Sequence, residues 1–207
     1  MAPLLLDQER LERLTTLPDN ILVHDLRKGI PFPDGSVGAV YHSHILEHID
    51  RNAAQDFMEE ICRVLKPGHI QRIVVPDLEY LVKQYSESVN RADDGGDTKS
   101  HDQTVAEILE QAVRREASGT AGKSRIRRQV ENLLLGGARR RGETHQWMYD
   151  RINLAALLED SGFVEVRRKT FRTSDIPNWE RLGQGLDRNP DGSEGKEFSL
   201  CIEAVRP

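Results

Sequence analysis

An α/β fold with a mainly parallel sheet, an antiparallel pair at its C-terminal edge and an inserted run of helices is the class this sequence predicts. Three observations carry it. Short β-branched runs flank a helix-period stretch between Val37 and Val75, the pattern of a strand-helix-strand crossover between parallel neighbours. A long middle stretch, residues 78–141, shows helical spacing without strand-like runs. The last third returns to strand patterns on either side of a loop-rich connection, as an antiparallel pair requires.

Leu6, Leu11, Leu14 and Leu17 recur among charges and predict a short amphipathic helix over 5–17, ended by the turn Pro18-Asp19-Asn20. Ile21-Leu22-Val23 reads as a buried strand ending at His24-Asp25. Pro31 and Pro33 bar a helix and Asp34-Gly35 supplies a tight bend, after which Val37 to His42 forms the next strand. From Ile45 to Leu65, apolar residues including Leu46, Ile49, Phe57 and Ile61 recur at three- and four-residue steps, so a helix packs by one face. Lys66-Pro67-Gly68 stops it, and Ile70 to Val75 is a third strand, broken by Pro76.

In the insert, Leu78 to Val89, Gln103 to Arg115 and Ser124 to Leu135 predict helices. Arg91 to His101 is polar and glycine-bearing and predicts a mobile loop. Leu154 to Ser161 then reads as a helix closed by Gly162, and Phe163 to Phe171 as a strand. In the last strand, Phe198 to Val205, the side chains of Leu200, Ile202 and Ala204 fall on one face. Thr173 to Lys196, with Pro177, Trp179 and Asn189-Pro190-Asp191-Gly192, is the loop-rich connection.

At 207 residues the chain suits a single domain, 1–207, with the helical insert inside it. Its 30% of charged residues point to solvated helix faces, and the net charge of −5 disfavours a general nucleic-acid surface. Lys123 to Arg128 and Arg139-Arg140-Arg141 are the local basic runs; the latter reads as a solvated helix end or as a clamp for an anionic acceptor. Leu4-Leu5-Leu6 and Leu133-Leu134-Leu135 are far too short to span a bilayer, and no secretory core follows a basic flank, so no membrane association and a cytoplasmic location are expected. Cys62 and Cys201 lack C-x-x-C spacing and predict buried free thiols. His42, His44 and His48 have metal-like spacing, but no clearly placed third ligand accompanies them, and no metal is expected.

Several short segments in register carry a resemblance. Val23-His24-Asp25-Leu26, Ile30 to Val37, Ser43-His44-Ile45-Leu46-Glu47-His48, Arg63 to Gly68 and Arg72 to Asp77 together resemble the central half of class I (Rossmann-like) S-adenosylmethionine-dependent methyltransferases. His145-Gln146-Trp147-Met148-Tyr149-Asp150, followed by Leu154 to Leu158 and Gly162-Phe163, is similar to that family's segment before its last helix and terminal hairpin. The resemblance implies transfer of a methyl group from S-adenosyl-L-methionine to an unidentified acceptor.

It also implies roles. Asp25 and the backbone of Leu26 fall where the family holds the adenine; Asp25 equally suits a turn cap ahead of Arg27-Lys28-Gly29. Ser43 and His44 fall beside the methionine portion and the reactive methyl, and Asp77 ends a strand toward the acceptor. His44 and His145 are the candidate proton acceptors. His145, Trp147 and Tyr149 suit either an acceptor wall or packing of the insert against the core, and His48 suits a helix face.

Family members open with a glycine-rich turn after their first strand, and residues 1–20 contain no glycine. The expected sheet is therefore N-terminally incomplete: either Met1 is not the natural start or the cofactor site lacks a part. A cover from residues 5–17, or a homodimer pairing along the exposed edge, is the expected compensation. The reading from another class is a methyltransferase-like protein that has lost cofactor binding and serves as a scaffolding partner.

Overall fold

The structure, a computed structural model, describes residues 20–22, 24–112, 144–196 and 198–207. The predicted helices at 5–17 and 124–135 and both basic runs lie outside the described residues. Among the described residues, four strands form one mixed sheet: β1 (Val37–Ser43), β2 (Leu65–Pro76), β3 (Val164–Lys169) and β4 (Ser199–Val205), in the order β1-β2-β4-β3. β1 and β2 are parallel, as the crossover between them predicts, and β4 is antiparallel to both β2 and β3. The C-terminal antiparallel pair is the expected one.

The crossover helix α1 (Arg51–Val64) starts later than its periodicity suggests. Asp50 is the reason: its carboxylate accepts from the Asn52 N–H at 3.0 Å, and residues Leu46–His48 ahead of it form a separate 3-10 turn. Lys66-Pro67-Gly68 does not form a turn that ends the helix before the strand but is itself part of β2, with the Gly68 N–H donating to the Arg206 carbonyl at 2.8 Å. The insert begins with α2 (Leu78–Asp93) and α3 (Thr98–Ala112), packed against each other. The expected loop at 91–101 shrinks to residues 94–97, because α2 runs on to Asp93 and α3 begins at Thr98. A capping box starts α4 (Arg151–Asp160): Asp150 accepts from the Ile152 and Asn153 N–H groups, and Asn153 Oδ1 accepts from the Asp150 N–H. A last short helix, α5 (Trp179–Leu182), lies in the connection before β4.

The predicted strand at Ile21-Leu22-Val23 is not formed. Ile21 and Leu22 are 48% and 62% exposed and outside any strand, Val23 is not among the described residues, and β1 is the sheet's edge. Apolar residues favour a strand only where a neighbouring strand and a covering layer bury them. The chain instead enters through a 3-10 turn, Leu26–Lys28, which rests on α1. Glu60 of α1 accepts from the Ile30 N–H at 2.9 Å, and a Cβ on Gly29 would stand 2.7 Å from the Glu60 carboxylate, so glycine permits that approach.

The two faces of the sheet are covered differently. On one, Ile73, Val75, Leu200, Ile202 and Ala204 meet Phe57, Met58 and Ile61 of α1 and Leu154 and Leu158 of α4. On the other, Arg72 is wholly buried, donating to Asp187 at 2.7 Å, to Glu203 at 2.8 Å and to the carbonyls of Thr170 and Thr173. Trp179 stacks on the same guanidinium at 4.4 Å, so the connection from β3 to β4 covers this face. Cys201 is buried and Cys62 half-buried, both as free thiols.

Candidate functional site

The carboxyl ends of β1 and β2 meet the insert and β4, and the groups there converge. β1 ends at Ser43, whose Oγ accepts from Lys196 Nζ at 2.8 Å. His44 follows with φ 53, a left-handed conformation uncommon for a side-chain-bearing residue. Its N–H still bonds the Val74 carbonyl at 2.9 Å, so the backbone stays docked on β2 while the ring turns out of the strand. His44 Nε2 lies 3.1 Å from Ser199 Oγ, and its Nδ1 lies 3.3 Å from Glu47 Oε1.

Glu47 is 1% exposed. Burial works to raise its carboxyl pKa, but His44 and His48 outweigh burial and hold it below the ordinary value. At 3.3 Å the His44 contact is an ion-pair distance rather than an aligned hydrogen bond, and no hydrogen bond reaches either Glu47 side-chain oxygen.

Next to His44 opens a cleft of about 440 Å³, bounded by the ends of β1 and β2, the first residues of β4 and the facing sides of α2 and α3. His44, Asp77, Tyr80, Gln84, Gln111 and Ser199 are among its walls. Tyr80 and Phe198 stack at its mouth with ring centroids 4.3 Å apart. The Asp77 carboxylate is already engaged: Oδ1 caps α2 by accepting from the Glu79 and Tyr80 N–H groups, and Oδ2 accepts from Arg168 at 3.1 Å.

Residues 144–149 run past this end of the sheet and are tied to the 3-10 turn. The Gln146 N–H donates to the Glu47 carbonyl at 2.7 Å, and Gln146 Nε2 donates to the His48 carbonyl at 3.0 Å. His145 thereby stands edge-on to His48, ring centroids 4.7 Å apart, and its Nδ1 bonds the Gln111 carbonyl of α3 at 2.6 Å. Trp147 lies outside under the Arg51 guanidinium, 4.0 Å from the ring. Tyr149 belongs to the core, and burial pushes its hydroxyl pKa up to about 12, with Glu47 adding and Arg51 opposing.

The predicted residues therefore divide. Ser43, His44 and Asp77 come together at the strand ends, while His145 reaches the same region from the opposite side of the 3-10 turn. Asp25 and Leu26 sit in the turn against α1 and do not line the cleft. Trp147 and Tyr149 do not line it either; Tyr149 packs. His42, one of the three histidines with metal-like spacing, is buried on the helical face, receiving Gln71 Nε2 at 3.0 Å and resting against Phe57. Sequence reasoning passed over Glu47, Gln111, Lys196 and Ser199. A carboxylate flanked by Leu46 and His48 was the one local signal, since an acid inside an apolar helix-period stretch needs a partner.

Residues 5–71, about a third of the chain, match the family model described as a methyltransferase domain. Among solved structures, the chain is similar to S-adenosylmethionine-dependent methyltransferases from Methanosarcina mazei (14% identity, 97% of this chain and 78% of that one, TM-score 0.44) and Archaeoglobus fulgidus (14%, 96% and 72%, 0.44). A third, from Thermotoga maritima, is 13% identical over 87% of this chain and 61% of that one, with a TM-score of 0.42. This chain thus spans between 61% and 78% of the lengths of those three structures. No curated protein matches it. No helix among the described residues is long and apolar enough to cross a membrane.

Proposed function

We propose that the chain is an S-adenosylmethionine-dependent methyltransferase whose acceptor occupies the cleft beside His44, a reading supported by the match of residues 5–71 to the methyltransferase-domain model. The position of that cleft carries the reading. It opens at the carboxyl ends of parallel strands, where α/β sheets hold their ligands because loops there present backbone and side-chain groups outside the sheet. Its volume is in the range of small-molecule sites.

The proposed methionine end of the cofactor is at Ser43 and the outward-turned His44, which stand at the strand end with Lys196 held against Ser43. The Asp25–Leu26 turn is the proposed adenine end, separate from the acceptor cleft. When bound, the cofactor supplies a methyl group on a sulfonium. The chain's own work is positioning, since in-line displacement needs a nucleophile aligned at close approach. His44 is the proposed proton acceptor: Nε2 faces the cleft wall at Ser199, while Glu47 steadies Nδ1. His145, its Nδ1 bonded to Gln111, is placed to fix the 3-10 turn rather than to take a proton from the cleft. Asp77 shapes the wall. β1's outer edge has no partner strand among the described residues, which suits pairing with a second copy; sedimentation as a monomer would remove that part of the reading.

Calorimetric titration with S-adenosylhomocysteine tests the proposal. Saturable heat with the unaltered chain, weakened in Asp25→Ala, is expected. No heat at any ligand concentration would remove the cofactor and leave the scaffolding role; heat unchanged in Asp25→Ala would reject only the adenine assignment.

A further inference from the structure

Beside the cleft converge three side chains that take no direct part in the proposed methyl transfer, Glu47 only steadying His44 there. The ligand atoms of Glu47, His48 and His145 all lie within 4.8 Å of one another, and Glu47 and His145 are 1% and 9% exposed. We propose that these three hold a divalent transition-metal ion, of the zinc, iron or cobalt kind.

The local structure is built as such a site requires. Gln146 clamps residues 144–149 onto the 3-10 turn by two hydrogen bonds, one to the Glu47 carbonyl and one to that of His48, so residues almost a hundred positions apart are held in fixed register. The Gln111 carbonyl can only accept, so His145 Nδ1 carries the proton of their 2.6 Å bond, and the lone pair is left on Nε2. A backbone carbonyl that fixes the tautomer and ring orientation in this way is the common outer partner of a metal-ligating histidine. The Glu47 carboxylate is aimed into the same space, buried, with no hydrogen bond to either oxygen. A carboxylate taken out of water needs compensating charge, and a cation there would add to what His44 gives from 3.3 Å.

Two imidazoles and one carboxylate suit zinc or iron(II), whereas magnesium and calcium prefer all-oxygen sets. Ligand atoms around a tetrahedral ion stand about 3.4 Å apart, so binding would draw the trio together by roughly 1 Å. Three protein ligands leave at least one position open. His44, which faces Glu47, and Gln111, which bonds His145, both line the cleft, so the open position would lie next to it. Polarisation of an acceptor hydroxyl by that ion rests on the methyltransferase reading; binding of the ion does not.

The test uses the full chain after chelator treatment, titrated with Co²⁺ and followed by visible absorption and calorimetry. One equivalent should bind with the intense bands of a low-coordinate cobalt site, be displaced by Zn²⁺ and not by Mg²⁺. Glu47→Gln and His145→Asn should each weaken binding at least about tenfold. His24→Gln, on the exposed entry turn, should leave it unchanged. Melting of the metal-free variants separates lost ligands from lost folding, and a rise in the unaltered chain's melting temperature with Zn²⁺ is expected as an independent sign. Absence of Co²⁺ binding by the unaltered chain would overturn the site whatever the variants do, as would equal binding by folded Glu47→Gln and His145→Asn. Metal binding without S-adenosylhomocysteine binding would keep the site and reject the methyltransferase reading.

Discussion

The two faces of the sheet solve one problem by opposite means. On the helical face, α1 and α4 cover Ile73, Val75, Leu200 and Ile202 with aliphatic side chains, and stability there follows from apolar area removed from water. On the other face an irregular connection covers a buried arginine, two acids, a tyrosine and a tryptophan. That arrangement works only if its buried charges are paired. Glu203 shows the extent of the pairing, since besides Arg72 it accepts from the Ser174 hydroxyl and from the Asp175 N–H. The helical face tolerates imperfection in small steps, while the polar face fails when one charge is removed.

The largest effect is expected from Arg72→Met. It strands Asp187 and Glu203 as buried charges and should lower stability in urea unfolding by about 3–5 kcal/mol. Combining it with Asp187→Leu and Glu203→Leu should recover only part of that loss, because the stranded charges go while the donors of Tyr41, Ser174 and Asp175 lose their acceptors. A triple variant no more stable than Arg72→Met would show that the network does more than balance itself. On the helical face, Leu158→Ala removes a wholly buried side chain and should cost about 3 kcal/mol, read from the shift of the same unfolding midpoint.

A third prediction concerns His42, the polar group on the apolar face. Burial lowers its pKa from 6.5 to about 4, with Glu47 opposing. The unfolded chain therefore takes up a proton first as pH falls, so stability declines from about pH 6.5 down to about pH 4 and then levels. Between pH 7 and 5 the unaltered chain should lose about 2 kcal/mol more than His42→Gln does, and parallel pH profiles for the two would contradict a neutral buried imidazole. The smallest effect is at the rim, where Arg51→Ala removes an exposed contact with Trp147 and should cost less than about 1 kcal/mol.

What the sequence disclosed follows the same division. Phe57, Ile61, Leu154, Leu200 and Ile202 are legible because a periodic apolar face can be read without knowing its partner. The crossover from β1 to β2 and the loop-rich link to β4 follow from the same patterns. Arg72 and Glu203 look like ordinary charged positions, since their partner Asp187 is set by a connection that has no period. Ile21 and Leu22 mislead, because an apolar run becomes a strand only where a neighbour receives it. At the site, Ser43 and His44 are singled out by the family resemblance of the segment Ser43 to His48, and the structure puts both at the end of β1. The meeting of Glu47 and His48 with His145 depends on the clamp made by Gln146, a tertiary contact that local spacing does not encode.

Hydrogen exchange measured with and without S-adenosylhomocysteine tests most directly where the chemistry sits. Ligand should slow exchange at the Asp25–Leu26 turn and at Ser43 to Glu47, and leave the connection over the polar face, residues 170–196, essentially unchanged except near Lys196. Protection confined to that connection, or absent along the whole chain, would contradict a methyl-transfer site at the carboxyl ends of β1 and β2.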